Sequence, residues 1–134
     1  MKLKPLNKMK KFIIYVIFLL TSFGFAQGQS YLGPDNFDKE VSRGIIVVEF
    51  WASWNDANSV KWLPNLKECE VYRVDIGTHM GLQQEFEITS IPTVIIFNNG
   101  NIEETFNANI MFQLEANKKD VQAKVDEIIL KQFN

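Results

Sequence analysis

Apolar and polar residues follow two different periods along this chain, and the switches between them mark its elements. The densest apolar run beyond residue 30 is Ile45-Ile46-Val47-Val48-Glu49-Phe50-Trp51, broken only by Glu49. So continuous a run of β-branched and aromatic residues predicts a central strand buried on both faces, as in a parallel sheet. Ahead of it, Phe37 and Val41 lie four apart within Asn36 to Ser42. That spacing predicts a brief amphipathic helix, capped by Asp35 or Asn36 and ended by Gly44. Behind the strand, Val60, Leu63 and Leu66 predict a helix from about Asp56 to Lys67, kinked by Pro64 inside it.

The period shortens again over Val71 to Ile76, a second strand, and Thr78 is placed to cap a helix reaching Phe86 with Leu82 and Phe86 inward. Thr93 to Phe97 predicts a third strand, Asn98-Asn99-Gly100 a tight hairpin turn, and Ile102 to Phe106 an antiparallel return. Asn107 to Ala116 is longer than a strand-to-helix connection requires, and its apolar run Ile110-Met111-Phe112 suits either core or a contact patch. Asn117 with Asp120 resembles a capping box, and Val121, Val125, Ile128 and Ile129 give the closing helix an apolar stripe. From Ile45 onward the order β, α, β, α, β, β, α implies an α/β fold, a mixed central sheet with helices on both faces. The length of 134 residues admits one such domain.

The first residues stand apart from this pattern. Five lysines (Lys2, Lys4, Lys8, Lys10, Lys11) precede the apolar run Phe12 to Phe25, and Ala26-Gln27 follows. A charged region, an apolar region and a small residue before a cut form the pattern of a cleavable signal peptide. The run has fourteen residues, interrupted by Thr21, Ser22 and Gly24, whereas a membrane span needs roughly 20. The expectation is therefore cleavage near Ala26, a short polar lead over 27–34, a domain over 35–134, export to a periplasmic or extracellular location, and no stable membrane anchor after cleavage. Of fourteen basic residues, five lie in the leader, so the remainder carries nine against sixteen acidic ones, a net of minus seven. Such a surface disfavours nucleic acid, which is bound through basic patches. The single cysteine, Cys69, cannot form an internal disulfide.

Three separated stretches then coincide: Val48-Glu49-Phe50-Trp51-Ala52-Ser53-Trp54, Val74-Asp75-Ile76, and Ser90-Ile91-Pro92-Thr93-Val94-Ile95-Ile96-Phe97-Asn98-Asn99-Gly100. In that order and spacing they resemble a thioredoxin-fold protein over about Asp35 to the C-terminus. The resemblance implies a cis Ile91-Pro92 bond facing the site loop, a buried acid at Glu49 acting as proton relay, and a Cys-x-x-Cys pair after Trp54. The last is missing. Asn55-Asp56-Ala57-Asn58 stands there, with Asn55 and Asn58 at the cysteine positions counted from Trp54, or Asp56 and Ser59 counted back from Pro64. Neither register supplies a thiol, and disulfide exchange is attack by a thiolate on sulfur. Asn55 and Asp56 can instead cap the following helix and set negative charge at its positive end.

The expectation is a domain without disulfide oxidoreductase activity, with no catalytic residue, metal or cofactor, that binds an extended protein segment in a groove of Trp54, Asn55, Asp56, Asn58, Ile91 and Pro92. In the family, the backbone beside the cis-proline pairs with such a segment as an added strand. Glu49 is then a buried acid with no thiol proton to relay. His79 has neither a second ligand for a metal nor a nucleophile beside it, and Glu49, Asp56 and Asn58 match no calcium loop. Cys69 falls at the far end of the predicted helix, on the order of 15 Å from the site. The alternatives are a redox enzyme using Cys69 or an uncharacterised site, and a structural subunit docking through Ile102 to Phe106.

Overall fold

The computed structural model of the chain describes residues 30–134. The expected leader and its cleavage site lie outside the described residues. Five strands form one mixed sheet: β1 (Ser30–Tyr31), β2 (Ile45–Trp51), β3 (Glu70–Asp75), β4 (Thr93–Asn98) and β5 (Asn101–Phe106), in the spatial order β1-β3-β2-β4-β5. β1 and β2 run parallel to β3, while β4 lies antiparallel to β2 and β5 to β4. β1 comes from the stretch read as a polar lead, and Leu32 directly after it is buried. The fold therefore begins upstream of Asp35.

Alternation along β2 divides the interior into two cores. Ile46, Val48 and Phe50 face one side, with α1 (Phe37–Val41) and α2 (Met80–Glu85); Val47 faces the other, with Val121, Val125 and Ile128 of α3 (Lys118–Gln132). The first core centres on Phe37, Phe50, Phe86 and Phe97, whose rings meet at centroid distances of 5.0 to 6.2 Å. Phe37, Phe50 and Phe97 are fully buried and Phe86 partly so; each fully buried ring is worth ~1.5–3 kcal/mol in burial alone. α3 has its capping box: Asn117 Oδ1 accepts from Asp120 N and Asp120 Oδ2 accepts from Asn117 N.

The main departure from expectation follows β2. No helix spans Asp56 to Lys67. Two 3₁₀ turns, Ser53–Asn58 and Leu63–Asn65, are separated by chain that turns extended at Ser59, and Leu66 is extended again. Asn, Asp and Ser side chains compete with helical hydrogen bonding by bonding elsewhere, and Asn55 and Asn58 both do so. Val60 N–H is taken by the Glu49 carboxylate at 2.9 Å instead of a carbonyl one turn back. Pro64 has no N–H to give and disfavours helical geometry at the residue before it. A kink was expected, and the helix is broken outright.

Two helix starts also differ from expectation. α2 starts at Met80 after His79 with no side-chain cap, and the Thr78 hydroxyl donates to the Asp75 carbonyl. Asn36 precedes α1 but accepts from Gly33 N–H, outside the helix. The segment without an assigned element is a small excursion, closed by an Ala108–Leu114 bridge and by Asn109, whose Oδ1 accepts from Met111 N and Gln113 N.

Candidate functional site

The site lies where β2 ends. Trp51 is the last residue of the strand, Ala52 is extended, and the first 3₁₀ turn lifts Trp54 into solvent while folding Asn55 inward. Asn55 is the pin of the arrangement. Its Nδ2 donates to the Ile91 carbonyl at 3.2 Å and to the Phe112 carbonyl at 3.1 Å, and its Oδ1 accepts from Asn58 Nδ2 at 2.9 Å. One primary amide thus uses both donor protons and an acceptor to join three chain segments. The expectation that Asn55 and Asp56 cap a helix is overturned: Asn55 ties loops together, Asp56 is exposed, and there is no helix to cap.

These contacts also separate the two registers read from the sequence. Asn55 and Asn58 bond to one another across one turn and Asn55 meets Ile91 and Phe112, whereas Asp56 is exposed. The Ile91–Pro92 peptide bond is cis, and Pro92 is buried. Phe112, at the tip of the 107–116 excursion, stacks edge-on against Trp54 at 5.2 Å between centroids and an interplanar angle of 87°. Its backbone takes φ of 57°, a region a phenylalanine rarely adopts.

Beside this pair opens a cleft of about 330 Å³. Trp54, Met80, Ile76, Ile88, Ile91 and Phe112 supply its apolar walls, with Gln83, Thr89 and Ser90 as polar points. Of the six residues expected to form a groove, Trp54 and Ile91 line this cleft. Asn55 and Pro92 lie beneath the surface, and Asp56 and Asn58 lie outside the lining. Sequence reading missed Phe112 and Met80. The only available signal for Phe112 was the apolar run Ile110-Met111-Phe112 in a segment that needed no core residue.

Glu49 is fully buried and has two partners. Arg73 Nε donates to Oε1 at 3.0 Å, and Val60 N donates to Oε2 at 2.9 Å. Arg73 stands opposite Glu49 in the β2–β3 register, lies 4.7 Å over the Trp51 ring, and reaches Tyr31 Oη at 3.5 Å. Burial pulls the guanidinium pKa down, but the hydrogen bond and charge of Glu49 outweigh it, leaving Arg73 above its ordinary value. The Trp51 indole N–H is buried without a partner among the described residues. A single cation within the strand pattern Val-Tyr-Arg-Val is the sequence sign that Glu49 has a counter-charge.

Cys69 sits on the α3 side of the sheet, packed against the second core, not beside Pro92. Burial first, then the charges of Asp126 and Glu68, push its thiol up to about 11. His79 lies against Gly33, and among the described residues no three His, Cys, Asp or Glu are grouped to hold a metal.

The comparisons with known proteins match this geometry. The thioredoxin family model matches residues 29–125. Thioredoxin from Staphylococcus haemolyticus is 30% identical over 98 residues, covering 66% of this chain and 89% of its own length. Thioredoxin from Staphylococcus saprophyticus matches at the same identity and coverage. Among solved structures, a point mutant of thioredoxin from Halobacterium salinarum superposes with a TM-score of 0.61 at 17% identity, covering 74% of this chain and 88% of that one. A designed protein superposes with a TM-score of 0.57 at 17% identity, covering 75% of this chain and 91% of that one. With its five-stranded mixed sheet, a single cysteine and no cysteine pair at the end of β2, this chain belongs to the thioredoxin family.

Proposed function

We propose that this is an exported, non-catalytic thioredoxin-family domain that binds an extended segment of a partner protein at the cleft beside Trp54. One observation carries the reading: the cleft at the end of β2 has an exposed aromatic and methionine lining, yet no thiol reaches it. Trp54 is 67% exposed and Met80 63%, and Ile110 and Met111 extend the apolar surface at the excursion tip. Large apolar side chains grouped in solvent mark interaction surfaces, and aromatic residues dominate their energetics. The Ile91 carbonyl already accepts from Asn55, which favours anchoring by side chains in the cleft over a ladder of backbone bonds. The leader composition supports export.

A one-thiol enzyme at Cys69 has less support, because the thiol is packed into the second core with its ionisation opposed. The test is recovery of partners from the exported compartment with wild type and Trp54→Ala. A specific protein retained by wild type and lost with the variant supports the cleft, and equal recovery of every protein overturns it.

A further inference from the structure

The charge around the cleft narrows what can occupy it. Between Arg73 and Lys118 the chain has no lysine or arginine and six carboxylates: Asp75, Glu85, Glu87, Glu103, Glu104 and Glu115. From Gly44 to Val60 it again has no base, and Glu49 is neutralised by Arg73 while Asp56 is free in solvent. All the walls of the cleft come from these two stretches. Asp75 Oδ1 accepts from Gly77 N of the lining at 2.9 Å, while Asp56 and Glu87 stand within two residues of Trp54 and Ile88 in sequence. Asp56 and Glu87 are exposed. Arg73, the nearest cation in sequence, is buried and committed to Glu49.

Resting on the reading that the cleft binds a protein segment, we infer that its occupant carries an apolar anchor side chain flanked by lysine or arginine. The anchor fits between Trp54, Phe112 and Met80, whose flat and flexible faces accept aromatic or long aliphatic groups. The basic flanks meet the carboxylates of Asp56, Asp75 and Glu87. The lining has no cation to screen them, so an acidic segment, an anionic membrane and a nucleic acid are all repelled. Complementary charge of this kind sets partner choice and encounter rate more than it sets total affinity. A neutral apolar segment therefore enters the same cleft more weakly.

The discriminating experiment pans a random displayed peptide library against the wild-type chain, Trp54→Ala, and the charge-neutral variant Asp56→Asn/Glu87→Gln. Selection is run at about 0.1 M and about 1 M salt, where the screening length falls from about 10 to about 3 Å. Enrichment of apolar anchors with lysine or arginine flanks is expected on wild type. It should be lost with Trp54→Ala and reduced about tenfold by high salt or by the neutral variant, as two or three exposed charge pairs allow. Anchored peptides with random or acidic flanks, bound equally at both salts, overturn the basic partner and leave the cleft reading standing. No enrichment over Trp54→Ala overturns both. Concentration-dependent dimerisation abolished by Trp54→Ala gives the cleft to a second copy and overturns the inference as well.

Discussion

Asn55 shows how one residue can take over a structural duty where the family has chemistry. A thiol at this position would offer one weak donor, whereas the amide offers two donors and an acceptor, and all are engaged. Asn55→Ala leaves two carbonyls and Asn58 without their partner, which should cost about 1–3 kcal/mol in a urea melt. The loss should be local: protease nicking within 107–116 should rise before global unfolding, and equal nicking in wild type and variant would show that Asn55 does not hold the excursion. Cys69 gives a second test at this scale. Raising a thiol from 9.0 to about 11 lowers the thiolate fraction at neutral pH ~100-fold, and the thiolate is the reactive species. A thiol reagent should therefore react about 100-fold more slowly with folded than with urea-unfolded protein. The sign for stability follows, because a raised acid favours the folded state while protonated. The Cys69 contribution is complete below about 9 and fades as pH rises toward about 11.

At the scale of elements, the link between β2, β3 and the broken helix runs through Glu49. Its carboxylate binds Arg73 across the strands and holds Val60 N–H where the chain leaves helical geometry. Removing one member of a buried pair strands the other, so Glu49→Ala and Arg73→Ala should each cost about 3 kcal/mol. The double variant should cost clearly less than the sum; strict additivity would mean that the pair is not coupled. This element also marks the limit of what the sequence makes legible. The strands, the Asn98 to Gly100 turn and the α3 capping box could be read because continuous apolar runs and local caps depend on neighbours in sequence. The helix after Trp54 could not, because what dissolves it comes from afar: Glu49 takes a backbone donor, and the Ile91 and Phe112 carbonyls draw Asn55 inward. The site was half legible for the same reason. Trp54 is announced by its motif, while Phe112 reaches the cleft from a segment whose course no local pattern fixes.

For the whole molecule, the departure from a Cys-x-x-Cys site is more than missing sulfur. Asn55 and Asn58 stand three apart in one short turn, so an intrachain disulfide should form under mild oxidation in the double variant Asn55→Cys/Asn58→Cys. Its chemistry should still differ from that of an active family member. A thiol is acidified at the start of a helix because aligned peptide dipoles and free N–H groups stabilise the thiolate. Here Ser53–Asn58 is a short 3₁₀ stretch kinked at Asn55 that ends in extended chain at Ser59, with no helix behind it. With no helix to acidify them and position 55 buried, the restored thiols should titrate at or above the ordinary ~8.5, not near the ~7 seen where a helix N-terminus acts on the pair. Asn55 is also buried under the Phe112 excursion, which hides the attacking position from a protein disulfide. Insulin reduction should stay at background, with thiolate absorbance against pH giving the titration directly. A thiol titrating near 7 together with reductase turnover would show that the fold kept everything but its cysteines, and that the broken helix is incidental. The expected result, an easily formed disulfide on a sluggish pair, would place the departure from a redox site in the backbone between Trp54 and Leu66 as much as in Asn55 and Asn58.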